Sequence, residues 1–133
     1  MTLRCVIVDD SPDVLHAARE LLESQGVVVV GVATTGNEAL SLMEELNPDV
    51  MLVDLVLGAE SGFDLAGRLA RSAGANRSRI ILISTHDEAD FEHLIAVSPA
   101  IGFLPKSGLS APAIHRLLAQ APDEDAAEPR GRR

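Results

Sequence analysis

Leu3-Arg4-Cys5-Val6-Ile7-Val8-Asp9-Asp10-Ser11-Pro12 is the stretch on which the fold turns. A mostly apolar, β-branched run stops at two adjacent aspartates, and a serine and a proline then open a helical pattern. The same arrangement recurs downstream. Val50 to Val53 stops at Asp54, and Arg79 to Ile83 stops at Ser84-Thr85. Short apolar runs that alternate with amphipathic helices indicate strands buried on both faces of a parallel sheet. In such sheets ligands bind beyond the carboxyl ends of the strands. Asp9, Asp10, Asp54, Ser84, Thr85 and Lys106 are therefore expected to meet at one edge.

Between these runs the helical spacing is regular. Ser11 can cap a first helix with Pro12 at its first position, where a missing N–H costs nothing. Val14, Leu15, Ala18, Leu21 and Leu22 are expected on its buried face, and Gly26 ends it. Val27 to Ala33 reads as a second strand. A second helix opens at Gly36 with Ala39, Leu40, Met43 and Leu46 inward and closes at Asn47-Pro48. The third strand spans about Asp49 to Leu55. Gly58 to Gly62 is a loop feeding a third helix that buries Leu65, Ala66, Leu69 and Ala70, and residues 72–78 form a polar connector. Strand four, Arg79 to Ser84, precedes a helix over about 88–97. A short strand, 100–104, leads to a last helix with Ile114, Leu117 and Leu118 inward. Five strands and five helices in strict alternation predict crossover connections with helices on both faces of the sheet. Residues 1–120 read as one domain, and 121–133, rich in Pro, Ala and mixed charge, as a disordered tail.

Composition narrows the function. The 133 residues suffice for a single core without disulfides or structural metal. Eleven basic against twenty acidic residues leave a net charge of −9, and Trp and Tyr are absent. That balance argues against nucleic-acid binding through phosphates. Cys5, alone inside a strand, reads as a small buried hydrophobe. No run reaches the ~18 apolar residues of a membrane helix, and no secretory leader is visible, so a cytoplasmic protein with no membrane contact is expected.

Ten of the eleven basic residues are arginines, and the exception is Lys106. Its position after an apolar strand suggests a need for a compact ammonium on a flexible stem, holding something small and anionic. Three carboxylates crowd the same edge, and unit charges about 4 Å apart repel by roughly 4 kcal/mol at an effective dielectric near 20. A divalent cation relieves this, and few carboxylates with retained waters suit Mg²⁺. A carboxylate can also attack a phosphoryl group to give an aspartyl phosphate, a transfer that depends mainly on positioning and charge neutralisation.

With these residues in view, the chain resembles the receiver domain of a bacterial two-component response regulator from Leu3 to about Ala119. The resemblance implies a chemotaxis-regulator-like, flavodoxin-like doubly wound (βα)5 fold of class α/β, with a five-stranded parallel sheet in the order 2-1-3-4-5. It implies that Asp9 and Asp10 bind Mg²⁺ together with Asp54 and the backbone carbonyl of Val56. Asp54 would be phosphorylated by a sensor histidine kinase or phosphotransfer protein, with Ser84 and Lys106 completing the site. Gly62 matches the family's glycine eight residues past the phosphoacceptor. Ser84 and Phe103 match its switch residues, and Thr85, Val56 and His86 stand where the family tunes access to the phosphoryl group. Phosphorylation would then switch the surface formed by the fourth helix, the fifth strand and the fifth helix, read by a downstream protein or an output domain outside this sequence. A phosphorylation-dependent homodimer is compatible with this. The domain would be a signalling module rather than an enzyme, assisting only its own phosphotransfer and dephosphorylation.

The chain departs from the family at several positions. Leu57-Gly58 replaces a frequent Met-Pro, Thr85 a smaller residue, and Phe103 a frequent Tyr. Ser107 stands where the family often has a proline after a cis bond, and a cis bond before serine would cost about 3 kcal/mol. Other readings remain open on the residues alone. Asp9-Asp10-Ser11-Pro12 could be a loop and cap, Ser84-Thr85 turn residues, and Phe103 core. His16, His86, His93 and His115 share no metal-ligand spacing. The rival functions are a Mg²⁺-dependent phosphatase with an aspartate nucleophile, a flavin module and an unphosphorylated receiver-like binding module. The first wants a second carboxylate where Val56 stands, and the second wants aromatic side chains around the ring and a hydroxyl-rich phosphate loop, neither of which is visible.

Overall fold

The structure, a computed structural model, describes residues 2–72, 78–85 and 88–120. Residues 73–77 of the expected connector, His86 and the expected tail 121–133 lie outside the described residues. Five parallel strands form the sheet: β1 (Arg4–Val8), β2 (Val28–Ala33), β3 (Val50–Asp54), β4 (Arg79–Ser84) and β5 (Gly102–Pro105), in the order β2-β1-β3-β4-β5. The order therefore matches the expected 2-1-3-4-5. The helices are α1 (Pro12–Ser24), α2 (Gly36–Leu46), α3 (Gly62–Ser72), α4 (Glu92–Val97) and α5 (Ala111–Gln120).

Alternation along each strand divides the core in two. Cys5, Ile7, Val50, Leu52, Ile81, Ile83 and Leu104 face one side, where Leu15, Ala18 and Leu22 of α1 and Ala113 and Ile114 of α5 cover them. Val6, Val8, Met51, Val53, Leu82 and Phe103 face the other, beneath Ala39 and Met43 of α2 and Leu65, Ala66 and Leu69 of α3. Burial of each large side chain contributes roughly 1.5–3 kcal/mol. Two faces filled in this way fix the strand register, because a slip of one residue would exchange them.

The helix ends follow their sequence signals. Ser11 is the N-cap of α1 with Pro12 beside it, and Gly26 takes φ +90° just past the helix. Thr35 caps α2, and Asn47 closes it in the left-handed region at φ 47°. Gly62 admits no side chain, because a Cβ there would collide with the Asp54 carbonyl and lie 2.7 Å from Leu55 Cα. That contact brings the start of α3 directly against the end of β3, where Gly62 N–H donates to Leu55 O at 2.7 Å.

Several expectations need correction. Leu21 is 40% exposed rather than buried, since it sits about 100° around the helix from Leu22. Ala70 is exposed for the same reason, one residue beyond Leu69. The expected helix over 88–97 is a 3₁₀ turn, Glu88–Phe91, followed by six α-helical residues with no side-chain cap. Strand five is displaced to Gly102–Pro105, where Pro105 is tolerated because β5 lies at the edge of the sheet. The loop after β3 contains a small antiparallel hairpin pairing Val56–Leu57 with Glu60–Ser61, its turn made by Gly58 at φ +58°. All described peptide bonds are trans, including that before Ser107, where Lys106–Gly108 form a 3₁₀ turn.

Candidate functional site

The site is built on the carboxyl ends of β1, β3, β4 and β5. Asp9 follows β1 and is completely buried. Its N–H donates to Ala33 O at 3.0 Å, tying it to the end of β2, and its Oδ1 accepts the Ser11 N–H at 2.9 Å, which shapes the entry to α1. Asp10, next in sequence, is exposed. Asp54 is the last residue of β3 and buried. One carboxylate oxygen from each of Asp9, Asp10 and Asp54 lies within 4.8 Å of the others.

Lys106 reaches into this cluster from the end of β5. Its Nζ stands 2.7 Å from Asp9 Oδ2 and 3.3 Å from Asp54 Oδ2, with the side chain 18% exposed. Asp9 Oδ2 has no aligned hydrogen-bond donor among the described residues, so its contact with the ammonium is an ion pair held by charge. Arginine's planar fork would be a poor substitute at a point between two carboxylates, which gives the lone lysine a physical reason.

The electrostatics follow from crowding. Burial, and then the charge of Asp9, raise the Asp54 carboxyl above its ordinary range, while Lys106 and the Val56 N–H pull in the opposite direction. Burial alone would lower the Lys106 ammonium, but its close contact with Asp9 and the charges of Asp54 and Asp9 hold it above its usual value. It stays charged at neutral pH. Burial pushes the Cys5 thiol up to about 12, so Cys5 remains a protonated hydrophobe, as expected.

Ser84, at the end of β4, is buried and lies opposite Pro105 in the register, one residue before Lys106. Thr85 is exposed. The Val56 side chain is 53% exposed beside Asp54. Phe103 is buried on the α2, α3 and α4 side of the sheet, opposite Leu82 on β4. Asp9, Asp10, Asp54 and Lys106 are thus brought together and Ser84 ends the adjoining strand, whereas His86 is outside the described residues.

The three carboxylates form an all-oxygen donor set, and the Val56 backbone carbonyl lies two residues past Asp54. Buried Asp9 Oδ2 faces the same cluster, with the Lys106 ammonium on one side of it. This chemistry fits a hard divalent cation such as Mg²⁺. Sequence reasoning missed a neighbouring set: Glu60, Gly36, Arg68 and Asn37. The Gly36 N–H donates to Glu60 Oε1 at 3.0 Å, and Arg68 donates to Glu60 Oε2 at 2.8 Å and to Asn37 Oδ1 at 2.9 Å. No local spacing announces a contact between residues 24 apart.

A doubly wound domain with an acidic cluster bridged by a lysine at the carboxyl edge of its sheet defines the class. The chain belongs to the response regulator receiver domain family, which matches residues 5–118. A protein-glutamate methylesterase/protein-glutamine glutaminase of Myxococcus xanthus is 39% identical over 65% of this chain and 24% of its own length. Protein PilH of Pseudomonas aeruginosa is 32% identical over 64% of this chain and 69% of its own length. Among solved structures, a LuxR-family two-component response regulator from Aurantimonas has a TM-score of 0.77 at 29% identity, covering 96% of this chain and 94% of that one. The chain spans only about a quarter of the methylesterase. Among the described residues no helix is long and apolar enough to cross a membrane.

Proposed function

We propose that this domain accepts a phosphoryl group on Asp54 from a phosphohistidine of a sensor kinase or phosphotransfer protein. The observation that carries this reading is Lys106 Nζ standing 2.7 Å from Asp9 and 3.3 Å from Asp54 within a cluster of three carboxylates. An Asp54 carboxylate oxygen attacks phosphorus, the P–O bond forms as the donor's P–N bond breaks, and the released imidazole takes up a proton. Bound by Asp9, Asp10, Asp54 and the Val56 carbonyl, Mg²⁺ would neutralise charge on the incoming phosphoryl oxygens. Lys106 exchanges part of its contact with Asp54 for a phosphoryl oxygen, and the Ser84 hydroxyl at the neighbouring strand end donates to another. Thr85 and Val56 border the approach.

The new charge, about −1.5 to −2, changes what Lys106 and Ser84 hold at the ends of β5 and β4. That biases two conformations of the α4, β5 and α5 surface, with Phe103 inside it, toward the one a partner or output domain reads. The names of similar proteins, which include response regulators, support this signalling role, and a cytoplasmic place belongs to the same reading. Residues 1–120 would form the receiver domain. Incubation with a small phosphodonor and Mg²⁺ should add one phosphoryl mass to the intact chain. Chelation of the metal, or Asp54→Asn, should abolish the gain. Undiminished gain in either case would refute the proposal.

A further inference from the structure

The hairpin after β3 borders the acidic cluster. Val56 opens it two residues past Asp54, the end of β3, and its turn passes Asp10 so closely that a Cβ built on Gly58 would lie 3.7 Å from Asp10 Oδ2. The far side of the hairpin is fastened by one side chain. Glu60 accepts the Gly36 N–H at the start of α2 and the Arg68 guanidinium of α3. A carboxylate at a helix N-terminus is favoured by the helix dipole, and the arginine adds a charge-assisted bond. Gly36 is shaped for this contact, because a Cβ there would come 2.6 Å from Glu60 Oε1 and collide with Oε2.

We propose that Glu60 is a positioning residue for divalent metal: by clamping the hairpin between α2 and α3, it holds the Val56 carbonyl and Asp10 in the arrangement that binds the ion. This rests on the reading of Asp9, Asp10 and Asp54 as the metal cluster. Its consequence is that metal affinity depends on a contact remote from the ligands, and that a methyl group on Gly36 mimics loss of the carboxylate.

The experiment is a Mn²⁺ titration of the unphosphorylated full chain, following free Mn²⁺ by electron paramagnetic resonance, with a melting curve for each variant. Glu60→Ala and Gly36→Ala should each weaken Mn²⁺ about tenfold, the low end for outer partners of a metal site. Thr35→Ala removes the α2 cap on the Glu38 N–H without touching the hairpin. It should lower the melting temperature and leave Mn²⁺ affinity unchanged. If Glu60→Ala does not fold, Gly36→Ala decides. Wild-type affinity in the clamp variants, or an equal loss in Thr35→Ala, overturns the inference. Asp10→Asn in the same titration separates the two readings. Wild-type affinity there brings down the metal cluster itself, and with it the clamp, whereas weakening there with unaltered clamp variants brings down the clamp alone.

Discussion

At the residue scale, the decisive feature is a charge surplus at one strand edge held by a single ammonium. Asp54 is held above its ordinary carboxyl range. Between its unfolded and folded values the native state therefore binds more protons than the unfolded state, and stability falls as pH rises through that window. Asp54→Asn should consequently stabilise the domain at neutral pH, because it removes a charge that is costly to bury and is repelled by Asp9, a cost that Lys106 only partly offsets. The gain should vanish below the ordinary carboxyl value of about 3.9. Melting curves across pH check this, and a gain that persists below that value would contradict it. The two neighbouring aspartates should also differ. Asp9 already has Oδ1 on the Ser11 N–H and Oδ2 beside Lys106, whereas Asp10 is exposed with no hydrogen bond or ion pair among the described residues. Asp10→Asn should therefore reduce the rise in melting temperature caused by Mg²⁺ more than Asp9→Asn does, and equal reductions would count against that ranking. The sequence alone brought out these residues because each ends an apolar run, and the lone lysine stood out against ten arginines.

At the scale of elements, local signals sufficed where one residue decides an end. Ser11-Pro12, Gly26 and Asn47 are such residues. They failed where tertiary packing decides: Leu21 and Ala70 fall just off the buried stripe, and α4 is shortened to six residues. The hairpin after β3 was read as a loop, because two-residue strands carry no period, and its clamp by Glu60 depends on a contact the chain makes only when folded. Gly62 was legible as a glycine of the family pattern, but its reason is visible only in the packing of α3 against β3. Gly62→Ala should destabilise by about 3 kcal/mol, the high end for overpacking, since the new methyl meets backbone that cannot yield. Chemical denaturation measures it, and a loss below about 1 kcal/mol would show that the two elements separate easily.

At the scale of the whole molecule, the sheet order and the two core faces follow from buried strands alternating with amphipathic helices, which is why the architecture was readable throughout. The expected link from site to surface now has a geometry to work through. Lys106 lies one residue past β5, and Phe103 lies within it on the opposite face from Leu104, so under the proposed phosphorylation a phosphoryl group that moved Lys106 would pull on the strand carrying that ring. Lys106→Arg should leave the fold intact and allow phosphorylation, yet blunt the change at the α4, β5 and α5 surface, because a broad fork loses the single contact that distinguishes the two states. Amide exchange at equal phosphorylation reads this, and an undiminished change would remove Lys106 from the linkage. All of it depends on where the phosphoryl group goes. An aspartyl phosphate is reduced by borohydride to homoserine, which marks the modified residue permanently. After incubation with a phosphodonor and Mg²⁺, peptide mass spectrometry should find homoserine at position 54 and nowhere else, and only when metal was present. Homoserine at position 9 or 10, or none at 54 in a chain that has gained a phosphoryl mass, would contradict the account.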